Sequence, residues 1–258
     1  MTVSAYTVRA RNLAPDSDNK IHDDEVARRF GFTGALVPGV EVFAYATQPL
    51  AAAYGEDFLR RGRLEIQFRK PVYDGDDVQV VVTDDGSVSV VGPDGSPRAV
   101  GRGGLEDVAA EVDRTRFVET PAIDPTPAAD ATSLAVGTSL GTVRETATPE
   151  GCAAYIDGIS DPLPLYEKFV HPGALLRMVN AVLFRNVVMG PWIHTGSDCR
   201  LLGPAAVGSE LTGYGVVTDR YERNGKSWVR FDALVLADGE PVALVDHMAI
   251  YDLGDNGH

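Results

Sequence analysis

Residues 15–24 read PDSDNKIHDD, which places four carboxylates, an Asn, a Lys and one of the chain's five histidines in ten positions. An imidazole titrates near neutrality, so His22 is suited to take up and release a proton. Asp18 or Asp16 could orient it or serve as the second acid/base, and Asn19 could fix a water or a polar substrate. The same stretch also reads as a polar turn entering a helix, with Asp23 or Asp24 as N-cap and DDEVARRF as the first turns. The remaining histidines point to structure. His171 precedes a Pro-Gly helix start and is expected to cap it or face solvent. His194 sits on a strand, opposite in alternation to Ile193, and His247 lies in the last strand.

Glu41 and Tyr45 are four apart on an apolar segment of helical spacing and so share a face. Glu41 in the first turn is expected to complement the positive end of that helix. The run FLRRGRLEIQFRK carries Arg60, Arg61, Arg63, Arg69 and Lys70, the densest basic stretch in the chain. It could meet phosphates or an acidic partner, yet alternation puts Arg63, Glu65, Gln67 and Arg69 on one strand face and Leu64, Ile66 and Phe68 on the other, so part of it is surface.

The elements that would position these residues come in two similar halves. LVPGVEVFAYATQPLAAAY and FVHPGALLRMVNAVLFRNVV each open on Pro-Gly and continue with helical spacing, Pro38-Gly39 matching Pro172-Gly173 at an offset of 134 (172 − 38). Downstream, Pro71 and Gly75 match Pro204 and Gly208 at an offset of 133 (204 − 71). A repeat of this kind predicts a duplicated unit. In each half the helix precedes alternating runs: RLEIQFRKPV, DDVQVVVT, SVSVVG and RAVGRGGL in the first; WIHTGSDCRLL, ELTGYGVVTDRYE, SWVRFDALVLA and PVALVDHMAIYDL in the second. Turns are expected at Asp94-Gly95, Asn224-Gly225 and Asp238-Gly239. This is an α+β plan, with units at 1–120 and 136–258 joined by an aperiodic Pro/Ala/Thr linker at 121–135.

The bulk numbers narrow the classes. A net charge of −14 disfavours nucleic acid and anionic membranes as partners. Cys152 and Cys199 have neither disulfide-framework nor zinc-ligand spacing, so no metal is expected and a reducing cytoplasm is the default. No apolar run approaches the length of a membrane span, and MTVSAYTVRARN lacks a signal-peptide plan.

The stretch DNKIHDDEVARRFGFTGALVPGV, followed at 63–82 by RLEIQFRKPVYDGDDVQVVV, resembles the MaoC-like, or (R)-specific enoyl-thioester hydratase, branch of the hot-dog fold. The resemblance covers most of the chain and implies a double hot dog, two helices each wrapped by an antiparallel sheet. The family's motif, D-x-N-P-[LIV]-H, falls on Asn19, Ile21 and His22, with Lys20 at its Pro position and Ser17 at its Asp position. Asp16 and Asp18 flank that Ser. Pro38 stands where the family often has a His before Gly, and the second half offers no such motif.

The resemblance implies hydration of a 2-enoyl thioester or its reverse, on coenzyme A or an acyl carrier protein, without a cofactor. His22 would be the catalytic acid/base, with Asp18 first and Asp16 second as its carboxylate partner. The backbone N–H of Gly39 or Val40 would take the thioester oxygen. Ser17, Asn19, Glu41, Tyr45 and Arg69 complete the expected substrate-binding set. A homodimer would fit hot-dog habits, although a tandem pair already makes a two-module pocket. Two rivals stay open: a hot dog repurposed for ligand or partner binding, which Ser17 favours, and a hot-dog thioesterase or polyketide-type cyclase dependent on Glu41 or on another pocket residue.

Overall fold

The computed structural model describes residues 5–15, 17–108 and 110–254. The first half runs β1 (Tyr6–Arg9), a 3-10 turn (Lys20–His22), α1 (Asp24–Arg29), α2 (Gly39–Tyr54), α3 (Glu56–Arg61), β2 (Gly62–Phe68), β3 (Asp77–Val82), β4 (Ser87–Val91) and β5 (Pro97–Leu105). The second runs β6 (Ser139–Thr146), α4 (Pro149–Ile159), α5 (Pro172–Phe184), β7 (Ile193–Leu201), β8 (Glu210–Arg223), β9 (Lys226–Ala237) and β10 (Glu240–Asp252). A helix that is apolar on nearly all faces has to be enclosed. α2 meets that condition, with every residue from Val40 to Ala51 buried. The alternating valines of β3 and β4 and Leu64 and Ile66 of β2 turn inward to cover it.

The strands form one ten-stranded sheet in the order β1-β3-β4-β5-β2-β7-β10-β9-β8-β6, and its strand pairs are antiparallel. The halves meet where β2 pairs with β7, with Arg63 opposite Arg200, Glu65 opposite Asp198 and Gln67 opposite Gly196. Arg63 reaches across this seam to grip Asp198 with two hydrogen bonds of 2.7 and 2.6 Å. That side chain, expected within a basic surface patch, is a joint between modules.

The repeat read from the sequence has a structural counterpart. Isolated bridges join Leu36 to Tyr73 and Phe169 to Ala206, and both residues of the second bridge lie 133 further on (169 − 36, 206 − 73). Val37 N–H donates to Val72 C=O, and Val170 N–H to Ala205 C=O, both at 2.8 Å. Gly75 and Gly208 turn the chain at φ 83° and 97°, values that favour glycine.

Four elements lay outside the sequence reading. β1 is only four residues long, α3 takes up the start of the basic run, β6 had no match among the expected runs, and α4 is announced by a Thr148 cap on Gly151 N–H (3.1 Å) with Pro149 at its first turn. Residues 121–135 hold no helix or strand, yet they pack against the second half. Ala129 N–H donates to Val188 C=O at 2.9 Å, and Leu134 is fully buried. Among the described residues no helix is long and apolar enough to cross a membrane.

The sheet is tightest where β5 crosses β2. A Cβ on Gly101 would stand 1.9 Å from the Glu65 carbonyl oxygen, whereas one on Gly104 would meet nothing within 4 Å. Gly101→Ala is therefore expected to lower unfolding stability by about 1–3 kcal/mol, and Gly104→Ala to stay within about 0.5 kcal/mol. Urea unfolding of both variants checks this.

Candidate active site

Asn19 caps the 3-10 turn, its side-chain oxygen accepting from Ile21 N–H at 3.4 Å. The same amide clasps the backbone of the other module. Its oxygen accepts from Trp192 N–H at 3.1 Å and its nitrogen donates to Trp192 C=O at 3.0 Å. Asn19, expected to hold substrate or water, thus has both ends of its amide committed to the residue just before β7. Ile21 drops into a small apolar cluster with Leu36 and Ile250, which pins the turn from beneath.

His22 follows in a fixed tautomer. Its Nδ1 lies 2.8 Å from Leu36 C=O, and a carbonyl only accepts, so Nδ1 carries the proton and Nε2 the lone pair. Nε2 stands 3.4 Å from the Asn19 amide nitrogen. Burial pushes the pKa of His22 below its ordinary value, with the Leu36 bond opposing in part. The ring is neutral at pH 7 and basic at Nε2.

α2 begins beside it. Pro38 supplies no side-chain cap, and the first amide bonded back toward the helix start is that of Glu41, to Pro38 C=O at 3.0 Å. The N–H groups of Gly39 and Val40 precede that bond, have no acceptor among the described residues, and can meet an anionic oxygen. Gly39 has to lack a side chain, because a Cβ there would lie 2.9 Å from His194 Nδ1 and 3.0 Å from the Phe68 ring.

Two cavities adjoin at this point. The smaller, of about 450 Å³, is lined by Gly39, Phe68, Arg69, Lys70 and His194 among others. The larger, of about 840 Å³, is lined by Ser17, Asp18, Val40, Glu41 and Arg177 among others. Asn19, His22, Pro38, Asn180 and Trp192 belong to both walls, so His22 stands on the partition.

The expected carboxylate partner is not bonded to His22. Asp18 is exposed on the rim of the larger cavity, Ser17 is half-buried with its hydroxyl donating to Asn19 C=O at 3.1 Å, and Asp16 lies outside the described residues. Glu41 is fully buried, and its Oε1 accepts from Arg177 Nε at 2.7 Å and from a second guanidinium nitrogen. Its role in the first turn is thereby larger than complementing the helix end, because it is the partner of a cation on the other module. Desolvation raises its pKa, and Arg177 opposes that. Tyr45 lines neither cavity. Its hydroxyl accepts from Arg11 N–H at 3.1 Å, and burial pushes its pKa up to about 12.

The basic run divides. Arg60 pairs with Glu56, Arg61 donates to Glu106 C=O and Arg63 holds Asp198, while Arg69 and Lys70 remain at the smaller cavity. His171 caps α5 by accepting from Gly173 N–H at 2.9 Å, and is buried. His194 and His247 stack with ring centres 4.2 Å apart and share the Ser197 hydroxyl, at 2.8 and 3.0 Å. Sequence reasoning missed Asn180, Arg177 and Trp192. Their only signal was position on the α5 face and at the head of β7, which becomes a pocket wall only when the halves are docked. Among the described residues no group of three or more His, Cys, Asp or Glu side chains could hold a metal ion.

No family model and no curated protein sequence matches the chain. Solved structures match it closely in shape. A protein described as a MaoC domain dehydratase from Chloroflexus aurantiacus superposes with a TM-score of 0.66 at 10% identity, over 98% of this chain and 95% of the other. A conserved Mycobacterium tuberculosis protein described as having a double hotdog fold gives 0.64 at 13% identity, over 97% and 96%. A protein described as an oleoyl thioesterase from Lactobacillus plantarum gives 0.52 at 10% identity, over 96% and 95%. The fold is therefore an α+β double hot dog. Proteins described as dehydratases and as thioesterases both carry it.

The buried imidazoles make the fold acid-sensitive. His194 is held at about 3 by burial, against 6.5 for an ordinary histidine, and His22, His171 and His247 are lowered too. Between those values the unfolded chain binds more protons, so the stability these imidazoles contribute is fully present above pH 6.5 and is lost as pH falls toward 3. The urea midpoint is expected to fall steadily over that window. Ring nitrogen shifts in NMR are expected to show His22 neutral at pH 7, with its proton on Nδ1.

Proposed function

We propose that the protein is an enzyme of acyl thioesters that adds or removes water across C2–C3 of a 2-enoyl or 3-hydroxyacyl group. The observation that carries this is the fixed tautomer of His22: Nδ1–H is spent on Leu36 C=O, and a neutral, basic Nε2 is left on the partition between the cavities, next to the start of α2. In the hydration direction, Nε2 takes a proton from a water as its oxygen bonds to C3. Charge moves to the thioester oxygen, where the amides of Gly39 and Val40 can receive it. C2 then gains the proton that His22 took up, handed on through a carboxylate, for which Asp18 is the first candidate and Asp16 the second, so that the ring ends neutral again. Dehydration is the same path reversed. Arg69 would hold the phosphate-bearing end of the substrate.

A second reading, thioester hydrolysis, is favoured by one observation: Glu41 is a buried carboxylate of raised pKa in the wall of the larger cavity. The two readings separate in one assay. Incubation with trans-2-enoyl-CoA esters is expected to remove the conjugated-enoyl absorbance without releasing thiol. His22→Ala is expected to lower kcat by about 10²–10⁴-fold with little change in KM. Thiol release abolished by Glu41→Gln but not by His22→Ala would replace hydration with hydrolysis. Silence with both coenzyme A and carrier-bound esters would favour a hot dog that binds without turnover.

A further inference from the structure

Resting on the thioester reading, we propose that the substrate lies across both cavities in one direction: its phosphate-bearing handle in the smaller, its acyl group in the larger, and that this acyl group is long or bulky. The two cavities differ in charge. Arg69, Lys70 and Arg223 line the smaller one, all three are exposed, and among the described residues none is in an ion pair. They come from both modules, two following β2 and one at the end of β8. In a chain of net charge −14, such a convergence of exposed cations marks the opening that a phosphate would enter. Tyr221 and Trp228, stacked with ring centres 5.8 Å apart, line the same cavity and offer a flat apolar surface there.

The larger cavity offers that handle no free cation among its described lining residues. Asp18, Glu41 and Glu145 stand in its wall, Arg177 is already bound to Glu41, and Glu145 is held by Arg185. The rest of the lining is largely apolar, including Val40, Phe184, Val187, Val188 and Met189. Phe184 and Val188 are 47% and 60% exposed, and few large apolar side chains on this protein are so exposed. An apolar surface left open at the mouth of a cavity of about 840 Å³ fits a hydrocarbon chain better than water. With His22 on the partition, C2 and C3 of such a substrate fall at the junction and the remaining carbons extend past Val40 toward Met189.

The handle has two sources of the same chemistry, coenzyme A and the phosphopantetheine arm of a carrier protein. Calorimetry with saturated esters, which cannot be hydrated, reads binding apart from turnover. Dodecanoyl-CoA is expected to bind at least about tenfold more tightly than butanoyl-CoA. Met189→Trp is expected to weaken the longer ester about tenfold more than the shorter. Arg69→Glu with Arg223→Glu is expected to weaken both esters alike and to flatten the salt dependence. Binding of dodecanoyl-carrier protein in place of dodecanoyl-CoA would support the same orientation and identify the carrier as the source. Equal affinities for the two lengths, or equal losses in Met189→Trp, would overturn the proposal, and turnover of crotonyl-CoA in the same preparation would leave the hydratase reading standing. No binding of any ester and no turnover would overturn both.

Discussion

The pairing of β2 with β7 is the constraint from which the rest of the structure follows. Without it each half would end in an exposed edge strand and a helix covered from one side. With it, ten strands make one sheet over two helices. The register leaves no room for error. Gln67 faces Gly196, where a Cβ would stand 2.7 Å from Ile66 C=O, and Phe68 is thereby carried against the His194 ring with centres 4.8 Å apart. That contact in turn dictates a glycine at the head of α2, where the amides of Gly39 and Val40 lie. A seam between strands thus decides the shape of a site built largely from turns and helix ends.

Two polar contacts lock the modules at the cavity itself. Asn19 treats the backbone of Trp192 as a strand would, giving and accepting one hydrogen bond each. Glu41 and Arg177 join α2 to α5, and Arg177 also lies 4.5 Å from the centre of the Tyr155 ring. A buried carboxylate stripped of its partner costs several kcal/mol, about 3–5 in comparable pairs. The Glu41–Arg177 pair takes one partner from each half, so it holds only while the two are docked. His22 benefits from the first of these locks, since its ring is oriented by Leu36 on one side and bounded by the clasped Asn19 on the other.

Charge is distributed with a similar economy. Most arginines of the helices are matched one turn away, Arg28 to Asp24, Arg29 to Glu25 and Arg60 to Glu56, in exposed pairs that add little to stability. The cations that matter are Arg69, Lys70 and Arg223 at the smaller cavity, none of which is in an ion pair among the described residues. Net charge governs the long-range field and says nothing of such a local concentration, because screening over about 10 Å confines each to its neighbourhood.

Much of the architecture was legible in the chain. The Pro-Gly helix starts, the Pro/Gly pairs at nearly constant offset and the alternating strands are local signals, set by backbone sterics and by which face of a strand meets the core, so the duplicated α+β plan could be read from them. His22 and the turn around it were legible too, as residue types at a spacing. What could not be read was who faces whom. Arg63 and Arg69 sit on the same strand face in alternation, yet the first is taken by Asp198 and the second is left at a cavity, because only one of them meets a carboxylate across the seam. Glu41 and Tyr45 share a helix face by the same count, but one reaches a cavity and Arg177 while the other is closed off under Arg11. Asn180 and Trp192 carry no motif at all. Residue types, periodicity and repeats belong to the chain alone. The tautomer of His22, the pairing of Glu41 and the two-cavity partition belong to the tertiary structure, because each depends on groups more than a hundred residues apart or on a carbonyl brought in by the fold.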